Sequence, residues 1–251
     1  MKKKLLLLGL IAFMLSSCVK PTEDGMTTIR IGHRYVESGS ICATRSEIAS
    51  NIDDALSAIM PTSVPLTLAR DVFTTFYCVS GEEITLPYNC EYAVTGESSQ
   101  AKTFIGCDAW ASPDPLVKIN DTISVTYGTK DYVVNAEIAS FALVWNNNVV
   151  EYVTFLNELG EEQVLPSYSY GDTSICCITG SLGDTPLTVV LHTWEGQPWE
   201  PRLFELTTSP DGTGIRCESG KWYALSPSSK TTSDSVIGLL YNEWIEGGNY
   251  Y

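Results

Sequence analysis

From Val64 onward the chain alternates apolar and polar residues over short runs, and each run stops at a turn former. Val64, Leu66 and Leu68 enclose Pro65 and Thr67; Ile84 and Leu86 enclose Thr85; Tyr92 and Val94 enclose Ala93; Ile123, Val125 and Tyr127 enclose Ser124 and Thr126. Successive side chains of a strand point to opposite faces, so a period of two is the pattern of a strand with one face in a core and one in water. Ser80-Gly81, Gly96-Glu97, Ser112-Pro113-Asp114-Pro115 and Tyr127-Gly128 separate these runs, and Gly and Pro are the strongest local breakers. The second half continues with strands predicted over 141–145, 149–156, 174–178, 187–192, 202–207, 222–225 and 236–241. Many short strands at this spacing predict sandwiches or barrels and exclude a parallel α/β sheet, which needs a helix between strands.

One segment has a different period. Ile48, Ile52, Ala55, Leu56 and Ile59 recur on one face of a helix, Ser46 is placed to cap its start and Pro61 to end it. The expected architecture is therefore mainly β: two consecutive antiparallel β-sandwich domains with one short helix near the N-terminus. A long strand from Tyr132 feeding Phe141–Trp145 sets the boundary near Ala139, giving an N-terminal sandwich over 46–139 and a C-terminal one over 140–251.

The first residues concern location. Met1-Lys2-Lys3-Lys4 precedes the apolar run Leu5–Leu15 and then Ser16-Ser17-Cys18. A basic start and an apolar stretch of about eleven residues match a secretory leader and fall short of the roughly 20 residues that span a bilayer. Leu15-Ser16-Ser17-Cys18 resembles the bacterial lipobox, which implies a leader over 1–17, cleavage before Cys18 and lipid on its thiol. Residues 18–45 then read as anchor and tether. The chain carries 15 Lys and Arg against 30 Asp and Glu, a net charge of -15. The leader holds three of the lysines and no acid, so the body after it stands at -18. Such a body repels anionic lipid head groups, leaving the lipid as the membrane contact. The same charge excludes a duplex nucleic-acid binder.

Chemistry is sparse. There is no Gly-x-Ser-x-Gly elbow, and His33 and His192 lie in no catalytic motif. Asp53-Asp54, Glu82-Glu83 and Glu161-Glu162 are adjacent pairs whose side chains diverge. No Cys-x-x-Cys pair occurs; Cys176-Cys177 are neighbours, which on a one-sided strand puts one thiol in the core and one outside. The expectation is a non-enzymatic protein with no metal site and no cofactor. With Cys18 lipidated, seven cysteines remain, an odd number. Cys78 and Cys90 flank Ser80-Gly81 in what reads as a hairpin and are the first disulfide candidates, free buried thiols being the alternative. Trp194 and Trp199 share a Pro/Gly loop, a candidate contact for host or dietary glycans.

Three segments carry a family resemblance. Glu83-Ile-Thr-Leu-Pro-Tyr-Asn-Cys-Glu-Tyr-Ala-Val-Thr-Gly96 resembles a hairpin of the fimbrillin-like surface lipoproteins of Bacteroides-type bacteria, with Asn89-Cys90 where those carry a glycine. Gly220-Lys-Trp-Tyr-Ala-Leu-Ser-Pro227 and Asn242-Glu-Trp-Ile-Glu-Gly-Gly248 resemble their late strand and closing element. The resemblance implies two transthyretin-like sandwiches on the bacterial outer membrane, in adhesion or as an anchor or minor pilus subunit. It also implies Arg-directed removal of an N-terminal strand, with fimbrillin subunits then joined by strand addition. Arg45 is the first candidate cut, Arg30 and Arg34 the others. Asp121-Thr122-Ile123 and Asp234-Ser235-Val236 resemble the O-glycosylation sites of such bacteria. The alternative function is a glycan-binding lipoprotein of a polysaccharide uptake system.

Overall fold

The computed structural model describes residues 25–35, 47–198, 200–227, 241–243 and 249–250. The first strands are β1 (Met26–Tyr35), β2 (Pro65–Ala69), β3 (Thr75–Val79), β4 (Glu83–Pro87) and β5 (Cys90–Glu97), with the helix α1 (Glu47–Ile59) between β1 and β2. A hairpin of β6 (Thr103–Gly106) and β7 (Asp108–Ser112) leads to β8 (Val117–Val125), β9 (Asp131–Ile138) and β10 (Ser140–Asn146). Then come β11 (Val150–Leu156), β12 (Glu162–Val164), β13 (Tyr168–Tyr170), β14 (Thr173–Ser181), β15 (Leu187–Thr193) and β16 (Arg202–Thr207). The last are β17 (Ile215–Arg216), β18 (Lys221–Leu225), β19 (Tyr241–Glu243) and β20 (Asn249–Tyr250).

They form three sheets. The first runs β20-β1-β9-β8-β5-β2-β3, with β4 also on β1. β3 and β4 sit at opposite ends of this order, about six spacings or ~29 Å apart if the sheet were flat. Val79 and Glu83 are four residues apart, which reaches at most about 14 Å. The sheet must therefore curl, and Gly81 N–H donating to the Ile31 carbonyl at 2.8 Å fastens its two ends together. The second sheet runs β19-β18-β10-β14-β7-β6 with β13 on β14, and the third runs β12-β11-β15-β16-β17.

The second sheet is the middle layer. Ala142, Val144, Ile175, Cys177 and Trp222 join a core with Ile52, Leu56, Leu66, Tyr92 and Val134 of α1 and the curled sheet. Phe141, Leu143, Trp145, Cys176 and Ile178 face the other way, onto Val153, Phe155, Leu191 and Phe204 of the third sheet. Adjacent residues of β10 and β14 thus enter different cores, so both strands are buried nearly throughout. A sheet covered on both faces reads as a continuous apolar run, which is what Phe141–Trp145 shows.

The mainly-β sandwich architecture and the helix match expectation, with Ile52, Ala55, Leu56 and Ile59 all buried. Four expectations change. The supposed tether contains β1, a full member of the curled sheet, because Ile29, Ile31 and Tyr35 provide a buried face. Sheet membership does not follow a division at 139: the β6–β7 hairpin pairs with β14, Ala109 lying opposite Gly180. Not every pair is antiparallel: β1 with β9, β10 with β18 and β16 with β17 run parallel. Finally, both Cys176 and Cys177 are buried, since the face assumed wet is covered by α1 and the curled sheet. The strand expected over 236–241 lies outside the described residues up to Leu240.

Candidate functional site: the clasped first strand

β1 is held along both edges. Met26 to Arg30 pair antiparallel with β4, from Met26 opposite Pro87 to Arg30 opposite Glu83. Arg30 to Tyr35 pair parallel with β9, from Arg30 opposite Asp131 to Tyr35 opposite Ala136. His33 and Arg34 also meet Tyr250 and Asn249 of β20. Side chains add a polar margin: Thr28 and Thr85 hydroxyls lie 3.0 Å apart, Arg30 reaches Glu83 at 3.5 Å, and Arg34 Nε donates to Asn135 Oδ1 at 2.9 Å.

The buried end of the strand carries a polar relay. Tyr35 hydroxyl donates to the Pro61 carbonyl at 2.7 Å, so its oxygen is free to accept from His33 Nε2 at 3.3 Å. His33 Nδ1 is then the unprotonated nitrogen and accepts from Ser80 Oγ at 3.0 Å, while Ser80 Oγ accepts the Val64 N–H at 2.8 Å. The relay ties β1 to the chain after α1 and to the β3–β4 turn. Burial lowers the His33 pKa from its ordinary 6.5, opposed by a hydrogen bond to the Pro61 backbone. The unfolded chain therefore takes up the proton first as pH falls. Stability is expected to be level above about pH 7 and to fall below 6.5 by up to about 1.4 kcal/mol per pH unit. Denaturant midpoints at pH 8, 6.5 and 5 measure this; a His33→Gln chain should start less stable and lose that slope, and an unchanged slope refutes it.

His33 and Ser80 form no catalytic relay. Both are buried, and the far ring nitrogen meets a tyrosine rather than a carboxylate. His192 does meet Glu162, at 2.9 Å, and Thr154, at 3.1 Å, but both contacts use Nε2, so the imidazole does not stand between acid and hydroxyl, and Thr154 Oγ1 donates to Glu162 itself at 2.9 Å. Tyr152 stacks on the His192 ring at 4.5 Å. β11, β12 and β15 bring these four residues together from distant positions, which no local spacing in the chain announces.

The other candidates are scattered. Trp194 is 45% exposed, and its indole N–H donates to the Asn147 carbonyl at 2.8 Å. Trp199, Cys18, Arg45 and Asp234 lie outside the described residues. Cys78 and Cys90 are not joined to each other by a disulfide. Their strands are not a hairpin: Cys78 lies opposite Leu66, Leu66 lies opposite Gly96, and Cys90 is six residues further along β5. That places the two about 20 Å apart along the strands, beyond disulfide reach. Asn89, where the resembled family has glycine, has φ 59°, a conformation asparagine tolerates. Thr122 is exposed on β8, and Asp121 Oδ2 accepts the Asn135 N–H at 2.9 Å. Among the described residues no helix is long and apolar enough to cross a membrane, and no three His, Cys, Asp or Glu side chains form a metal-binding group.

No family model and no curated protein matches the chain. Solved structures with a similar outline include a candidate cell adhesion protein of Bacteroides uniformis, 8% identical, over 90% of this chain and 100% of that one, at a TM-score of 0.45. A candidate cell adhesion protein of Bacteroides eggerthii is 9% identical over 89% and 97% of the two chains, at 0.44. A tip fimbrial protein of Porphyromonas gingivalis is 8% identical over 87% and 100%, at 0.37.

Proposed function

We propose that this chain is a non-enzymatic, fimbrillin-like surface lipoprotein of the bacterial outer membrane, acting in adhesion or as an anchor or minor pilus subunit. The observation that carries the reading is the placement of β1. This strand begins eight residues after Cys18 and is clasped between β4 and β9, while the helix and the later described strands follow residues 36–46, which contain Arg45. Arg30 and Arg34 sit inside paired strand, which a protease cleft cannot accept without unpairing it. Among the described residues, a cut after Arg45 would leave the lipid-bearing piece attached to the body through β1. Its departure would bare backbone on β4 and β9 beside the buried Leu86, Val134 and Ala136. An extended strand of another subunit fits such a slot by main-chain hydrogen bonding, with alternate side chains filling the pockets.

The test is fractionation of cells expressing the full chain. Wild type is expected in the outer membrane, Cys18→Ala in the soluble fraction, and Arg-specific protease is expected to yield a new N-terminus at Ser46 that Arg45→Ala abolishes. A soluble wild-type protein, or trimming that ignores Arg45, refutes the anchor and processing parts respectively. The glycan-binding alternative has less support, because among the described residues it rests on the single half-exposed ring of Trp194.

A further inference from the structure

The β2–β3 hairpin carries the two most exposed large hydrophobic side chains among the described residues. Val72 is 91% exposed, Phe73 95% and Tyr77 76%. The tip is not loose: Asp71 Oδ1 accepts the N–H groups of Phe73 and Thr74, each at 2.8 Å, and Arg70 N–H donates to the Thr74 carbonyl at 3.0 Å. The two side chains are thus displayed by an ordered turn.

β3 itself is the end strand of the curled sheet, and among the described residues nothing pairs with its outer edge. Proteins blunt such edges with charge, proline, bulges or shortness. Other edge strands here follow that rule. β4 carries Glu83 and Pro87, β12 is three residues with Glu162, β17 is two residues with Arg216, and β6 is four residues ending at a register shift. β3 has none of these: it is Thr-Phe-Tyr-Cys-Val, and no residue from Val72 to Gly81 is charged, in a chain with a net charge of -15.

We infer that β3 is the docking edge for a second copy of this chain, the two β3 strands pairing antiparallel about a two-fold axis. The charge distribution selects this occupant. Two copies of so acidic a chain repel over most of their surfaces, and β3 is an edge they can share without opposing like charges. A two-fold pairing also covers both edges at once and leaves none open, whereas a head-to-tail contact would propagate. Of the antiparallel registers, centring on Tyr77 pairs all five residues. It sets Phe76 opposite Cys78 and Thr75 opposite Val79, with Tyr77 meeting its own copy on the axis. This association is independent of any release of β1.

Sedimentation velocity of the full chain in detergent micelles, near 10 μM, tests it. Wild type is expected to be a dimer, and Tyr77→Lys a monomer with at least about tenfold weaker association and an unchanged circular dichroism spectrum. Thr75→Lys, also at an exposed position, serves if the first variant does not fold. In a Cys107→Ser background, oxidised Tyr77→Cys should give a disulfide-linked dimer and Glu158→Cys should not. A monomeric wild type overturns the inference, as does a dimer that both lysine variants leave intact or that Tyr77→Cys fails to trap.

Discussion

Gly180→Ala is expected to destabilise the protein by about 4 kcal/mol, most of the stability of a domain at the low end of the ordinary range of about 5–15 kcal/mol. Gly180 lies on β14 with φ 91°, a backbone region costing a side-chain-bearing residue about 1–3 kcal/mol. A Cβ there would also collide with the Asp108 carbonyl oxygen on β7. That oxygen is backbone within a paired strand, so relief requires parting Gly180 from Ala109 and loosening the hairpin that closes the middle sheet. Gly171 is the control: its φ is 55° and nothing lies within 4 Å of an added Cβ, so Gly171→Ala should cost only about 1 kcal/mol. Urea midpoints at constant m compare the two; equal costs would show that the approach of β7 to β14 does not limit this position.

The second large effect concerns the two faces of the middle sheet. Leu143 on β10 enters the core shared with the third sheet, and Ile175 on β14 enters the core shared with α1 and the curled sheet. Leu143→Ala and Ile175→Ala are each expected to cost about 2–5 kcal/mol, the range for truncating a fully buried aliphatic side chain. A two-layer sandwich predicts otherwise: one residue would be core and the other surface, where substitutions stay within about 0.5 kcal/mol. Equilibrium unfolding of the two variants therefore separates three layers from two. The vicinal thiols obey the same geometry. Burial pushes Cys176 up to about 12 and Cys177 well above its ordinary value, so neither is a ready nucleophile at neutral pH.

These cases show where reading the chain succeeds. α1 is legible because Ile52, Ala55, Leu56 and Ile59 repeat at helical spacing over about two turns, and Pro61 stops it. β2, β4, β5 and β8 are legible because each has one core face, and alternation reports a single face. β1 escapes notice because Gly32 and His33 interrupt its pattern and its burial depends on partners far along the chain: β4, β9 and β20. The third layer escapes for the opposite reason. A strand covered on both sides has no alternation to read, and only the unbroken run Phe141–Trp145 hints at it. Cys176-Cys177 then takes the wrong geometry from the assumption of one wet face. The putting together of Tyr152, Thr154, Glu162 and His192 follows from strand register, which pairs Tyr152 with His192 and Thr154 with Val164 across segments of unlike sequence.

The parallel pairing of β1 with β9 has a kinetic consequence. Arg30 meets Asp131, so β1 has no partner on that edge until about a hundred more residues exist, and closing so long a loop is entropically slow. Folding should be correspondingly slow, on the order of milliseconds to seconds, as for other folds dominated by distant strand pairs. Through that interval Ile29 and Ile31 are uncovered on a segment ready to pair. The chain has a period in which another molecule's edge competes with its own for the same strand, and the outcome depends on how crowded its surroundings are while it waits.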